Sequence, residues 1–151
     1  MRTVRLMILV WIPFITIFAF ASPAVSNALG DSYPHIAFHL FAPAVLVTAL
    51  VLARRLLVQA ATKGQRTCLR ILMVTLPLAV LGNLVELFAA MRRFVEDGWE
   101  SVKTPDVFNE TGLHMLGANL TIPSLMISML VALALTAVTA VQRLRRLESV
   151  S

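Results

Sequence analysis

Four stretches of the chain are almost wholly apolar: Leu6–Val25, Ile36–Ala53, Ile71–Met91 and Leu113–Val141. About 20 apolar residues suffice to carry a helix across the ~30 Å hydrocarbon core of a bilayer. The pattern predicts an all-α, polytopic membrane protein with four transmembrane helices in an antiparallel bundle. The second stretch is only just long enough, and Arg54 and Arg55 extend it by snorkelling to the interface. The fourth has 29 residues, and at ~1.5 Å per residue it exceeds the core. Its first turns must tilt, kink at Pro123 or project. The embedded parts of this single membrane domain are read as about 6–25, 36–56, 71–91 and 117–141, with 92–112 an outer loop carrying a short interfacial helix.

Three of the helices carry a stripe of small and polar residues at helical spacing. In the second it is His35, His39, Ala42, Ala49 and Ala53; in the third Thr75, Ala79, Gly82, Asn83, Glu86 and Ala90; in the fourth His114, Gly117, Thr121, Ser124, Ser128, Ala132 and Thr139. Small residues let helix backbones approach closely where lipid surrounds them. These faces are expected to meet. Leu76, Leu84, Leu87 and Phe88 then cover the rest of the third helix, which Pro77 is expected to kink. Trp11, Phe14, Phe18 and Phe20 ring the first helix with bulk suited to a lipid-facing position.

Charge orients the bundle. Ten of the thirteen basic residues (Arg2, Arg5, Arg54, Arg55, Lys63, Arg66, Arg70, Arg143, Arg145 and Arg146) fall at one end, while Arg92, Arg93 and Lys103 share the other with most of the acids. The positive-inside rule puts both termini in the cytoplasm and the protein in a plasma or inner membrane. The net charge of +5 is thus a topology signal rather than a nucleic-acid footprint. Between the second and third helices a basic loop, Leu57–Leu69, is expected. Arg92 with Glu96 and Arg93 with Asp97 are i,i+4 pairs that continue the third helix a turn or two past its apolar span.

A basic n-region and small residues near Ala21 also resemble a cleaved signal peptide. Pro23 and the continuing apolar run favour a retained helix. The composition is 58% hydrophobic and 14% charged, so no sizeable soluble domain is expected. Cys68, the single cysteine, excludes an intrachain disulfide and a cysteine-based metal site. Asn109-Glu110-Thr111 fits a glycosylation sequon, a match too short to carry weight.

Glu86 is the only charged group between Ile71 and Met91. A carboxylate at membrane depth costs ~2.5–3.5 kcal/mol on insertion scales, and such residues mark ion sites, proton relays or interhelical partners. The topology puts His35, His39, His114 and Asn119 in the same outer layer as Asn83 and Glu86. Imidazole and carboxylate are ligands for transition metals, with His35 and His39 at i,i+4 able to share one ion and Glu86 and His114 completing the set. Alternatively His39 and His114 serve as axial haem ligands. A structural reading also stands: Glu86 as a protonated acid donating to Asn119, Thr121 or a histidine, with Asn83 and Asn119 as interhelical hydrogen-bond partners.

Three functional classes follow. The first is an accessory or structural subunit of a larger membrane complex, or a homo-oligomer, holding a metal or haem at this cluster. The second is a small oligomeric proton- or cation-coupled transporter using Glu86. An intramembrane enzyme ranks last: Ser124 and Ser128 are the available nucleophiles, and both lie deeper than His114.

Overall fold

A computed structural model describes residues 2–21, 35–98 and 112–148; of the side chains within those segments, residues 2–4, 10, 13, 17–21, 35–38, 146 and 147 fall outside the description. The described chain is all helical: α1 Arg2–Ala21, α2 His35–Val58, α3 Lys63–Asp97 and α4 Gly112–Glu148. The last three are long and apolar enough to cross a membrane. Each runs unbroken through a proline, Pro43, Pro77 and Pro123 respectively. Exposed Leu40, Val74, Phe88, Met126 and Leu130 coat the outside of the bundle, as fits a chain whose surroundings are lipid.

α3 packs against both α2 and α4, and α1 closes the other side against the same two helices. Early α2 meets late α3 through His39 and Asn83, and late α3 meets early α4 through Glu86 and Thr121. At the opposite end Gln65 of α3 bonds Thr139 of α4, and Gln142 bonds Thr62. α3 therefore runs antiparallel to both neighbours. The ends are named here the histidine end, where α2 and α4 begin, and the basic end, which carries Lys63, Arg66 and Arg143.

The basic loop expected over Leu57–Leu69 is much shorter. α2 ends at Val58, and α3 begins at Lys63 with Thr62 as its cap. The Thr62 hydroxyl accepts from the Gln65 backbone N–H at 3.4 Å, while the Gln65 side chain accepts from the Ala61 N–H at 3.0 Å. This reciprocal arrangement resembles a capping box and satisfies donors that a helix start leaves open. Charged residues ended the apolar run but not the helix.

At the histidine end α3 continues to Asp97, held by Arg92–Glu96 at 2.8 Å and Arg93–Asp97 at 3.8 Å, and Gly98 caps it at φ 83°. Residues 92–97 are thus helix, the continuation that their i,i+4 pairs imply, and α4 starts at Gly112, at the head of the fourth apolar stretch. The interfacial helix near Trp99 and the Asn109 sequon lie outside the described residues, as do the side chains of Phe18 and Phe20. Trp11 and Phe14 are exposed, in edge contact with each other.

The core is layered. Leu46, Ala49, Ala53, Leu69, Leu72, Leu76 and Ala79, with Leu9 of α1 and Leu135 of α4, form an apolar mass towards the basic end. Leu76, expected on the lipid face, is fully buried because α3 is flanked on two sides and its covered arc is wider than one stripe. Nearer the histidine end the buried residues turn polar: Ser128, Ser124, Thr121, Glu86, Asn83, His39 and His114. Thr75 and Ser128 mark the transition with a hydroxyl pair at 2.7 Å.

Candidate metal centre

The polar layer is positioned by a backbone contact. α3 and α4 cross at Gly82 and Gly117, where a Cβ on Gly82 would lie 2.7 Å from the Gly117 carbonyl oxygen and one on Gly117 would lie 2.9 Å from the Gly82 carbonyl oxygen. Only helices without side chains at the crossing come this close. Glu86 sits one turn beyond Gly82, so the contact presses its side chain against the start of α4.

Three hydrogen-bonding arrangements then fix the cluster. The Thr121 hydroxyl donates to Glu86 Oε1 at 2.6 Å, which turns the other oxygen, Oε2, towards the histidines. Asn83 Nδ2 donates to the Ala79 carbonyl at 3.0 Å, so its Oδ1 faces His39 Nδ1, also at 3.0 Å. An amide oxygen only accepts, so His39 carries its proton on Nδ1. Its Nε2 lone pair therefore points at Glu86 Oε2, 3.4 Å away, and His114 Nε2 lies 3.9 Å from the same oxygen.

Two lone-pair-bearing atoms facing each other in a dry interior need a cation between them, whether a proton or a metal ion. The 3.4 Å between His39 Nε2 and Glu86 Oε2 admits either, while the full set, spread over 4.8 Å, is wider than a tetrahedral shell. Metal bonds of ~2.1 Å in tetrahedral array separate ligand atoms by roughly 3.4 Å. His39, Glu86 and His114 offer one ligand atom each, all within 4.8 Å of one another, and all three residues are buried. Two imidazoles with one carboxylate suit divalent transition metals. Asn83 on His39 and Thr121 on Glu86 supply the outer hydrogen bonds that orient such ligands.

Of the residues expected here from sequence, the structure brings together His39, Asn83, Glu86, His114 and Thr121. His35 opens α2, one turn before His39, but its side chain lies outside the described residues. Asn119 is exposed and is not part of the cluster. It lies two positions from both Gly117 and Thr121, roughly 200° round a helix of ~100° per residue. The haem arrangement does not fit: the Glu86 carboxyl stands against both imidazoles, whose ring centroids are 6.4 Å apart. A haem between the two imidazoles would need the space that the carboxyl fills. Ser128 is hydrogen-bonded to Thr75 rather than to a histidine.

Asn83→Ala removes the acceptor that fixes the His39 tautomer without touching a ligand atom. Metal affinity should fall by about 10–100-fold, the range seen for outer-shell partners. Competition with a metal-binding dye in detergent measures it, and unchanged affinity would show that Asn83 does not orient the site.

No protein-family model matches the chain, and neither a curated protein nor a solved structure matches it.

Proposed function

We propose that this chain is a four-span membrane protein with both termini cytoplasmic, and that it acts as a small accessory subunit holding a divalent transition-metal ion in its outer-leaflet layer. The observation that carries the reading is the convergence of His39, Glu86 and His114, one from each of three helices, with ligand atoms within 4.8 Å and no solvent exposure to speak of. An ion there ties together helices that hydrophobic attraction does not hold in lipid. His35, by its i,i+4 spacing from His39, is the proposed fourth ligand.

The coupled-transport reading uses the same carboxylate. The backbone contact at Gly82 and Gly117, beside Glu86, favours a fixed site over a carboxyl that must face each side of a membrane in turn.

The test is elemental analysis of protein purified in mild detergent without chelator, from cells grown with zinc, iron, copper and manganese. Wild type should carry about one ion per chain, in line with a single closed ligand set. His39→Ala and His114→Ala should carry none. Metal-free wild type would overturn the proposal.

A further inference from the structure

A cavity of about 310 Å³ opens at the basic end, far from the histidines. Its floor is Leu6 of α1, Leu56 of α2, Leu69 of α3 and Leu135 of α4, so all four helices contribute to it. Its rim is polar, with Gln59, Gln142 and Arg143. The volume holds roughly ten water-sized groups, and the lining is divided between leucine and alanine on one part and glutamine, threonine and arginine on the other. Its occupant must be apolar at one end and polar at the other.

Charge selects the polar end. Arg143 is the one charged residue of the lining, and among the described residues this end of the bundle also carries Arg5, Arg54, Arg55, Lys63, Arg66, Arg70 and Arg145, with Glu148 its one acid. A guanidinium pairs with phosphate oxygens in a two-pronged geometry. Basic pockets between membrane helices recognise anionic headgroups in this way.

We infer that the cavity at the basic end binds one anionic phospholipid, its acyl chain on the leucine floor and its phosphate at Arg143 and Gln142. The inference rests on the membrane reading and is independent of the metal site. The lipid fills a gap in the apolar mass between α1 and the other three helices. Thr136 and Ala140 of α4 also line the cavity, and both are exposed, so a larger side chain at Thr136 fills the space without repacking the core.

The test is native mass spectrometry of the full chain, released from mild detergent after equilibration with phosphatidylglycerol or with phosphatidylcholine of equal chain length. Phosphatidylglycerol should be retained at least about fivefold more than phosphatidylcholine, a preference of the size of one charge-assisted contact. Arg143→Gln should reduce it to the phosphatidylcholine level, whereas Arg145→Gln, the same charge change outside the cavity, should not. Thr136→Phe should abolish retention of both lipids while leaving the melting temperature unchanged. Arg143→Lys, which keeps the charge but not the two-pronged donor, covers the case in which the glutamine variant does not fold, and should lower the preference for phosphatidylglycerol below that of wild type. Equal retention of the two lipids by wild type, or equal losses in the two glutamine variants, would overturn the inference. Retention of glycerol phosphate by lipid-free protein would do the same, by showing a site for small anions.

Discussion

Glu86→Gln should strip the ion from the protein and leave the metal-free fold as stable as before. The amide oxygen still accepts the Thr121 hydroxyl, which now bonds Oε1 at 2.6 Å. The amide nitrogen replaces Oε2 and donates to the Nε2 lone pair of His39, where two acceptors now stand 3.4 Å apart. Volume is conserved and the amide supplies the hydrogen that a proton otherwise provides between the two atoms, so the metal-free stabilities should agree within about 1 kcal/mol. A neutral amide is a poor ligand, so metal affinity should fall more than the roughly 10–100-fold expected for an outer-shell change. Elemental analysis and thermal unfolding of the same preparation read both effects. If the variant keeps its ion, Glu86 is not a ligand. If it loses the ion but melts well below metal-free wild type, the carboxyl has a structural role that the amide cannot fill.

Gly117→Ala should damage fold and site together. Its Cβ would lie 2.5 Å from Glu86 Cγ and 2.9 Å from both the Glu86 nitrogen and the Gly82 carbonyl oxygen, where carbon contacts settle at ~3.5–4.0 Å. Two of those neighbours are backbone and cannot rotate aside. α3 and α4 must separate, drawing Glu86 away from Thr121 and His114. Overpacking of this kind costs ~1–3 kcal/mol, and the upper end is expected with backbone on both sides. Gly82→Ala faces the Gly117 carbonyl oxygen and the Thr121 nitrogen at 2.7 Å, together with the Thr121 hydroxyl, and should behave alike. Gly64→Ala is the control, since its Cβ would meet only Val138 at an ordinary 3.4 Å. A Gly117→Ala protein that melts with wild type would remove the crossing from the account of how the site is built.

The glycine contact was visible in the sequence only as two members of two stripes, with nothing to say that they face each other. The stripes themselves were legible: Ala42, Ala49 and Ala53 on α2, the set from Thr75 to Ala90 on α3, and the set from His114 to Ala132 on α4 are all buried. Periodicity reports a helix's own face directly. It does not report how many neighbours share that face, which is why Leu76 was assigned outside. Asn119 was grouped with Glu86 by depth alone, although its angle on α4 excludes it from the stripe; depth and angle are both needed. The start of α3 was misplaced because charge was used as a helix boundary. Thr62 and Gln65, three apart, carried the true signal. Asn83 was legible as an interhelical hydrogen-bond partner, as its bond to His39 bears out, but the tautomer that it fixes depends on which way one amide faces.

Closure of the cluster on every side bears on how it fills. His39, Glu86 and His114 are 0%, 1% and 0% exposed, so an ion crosses into or out of the site only when the first turns of α4 lift from α3. Exchange then follows the frequency of that opening, and a chelator in the buffer waits on it rather than driving it. A metal ion held there would therefore be slow to leave and slow to be replaced, whatever the concentration of competitor outside.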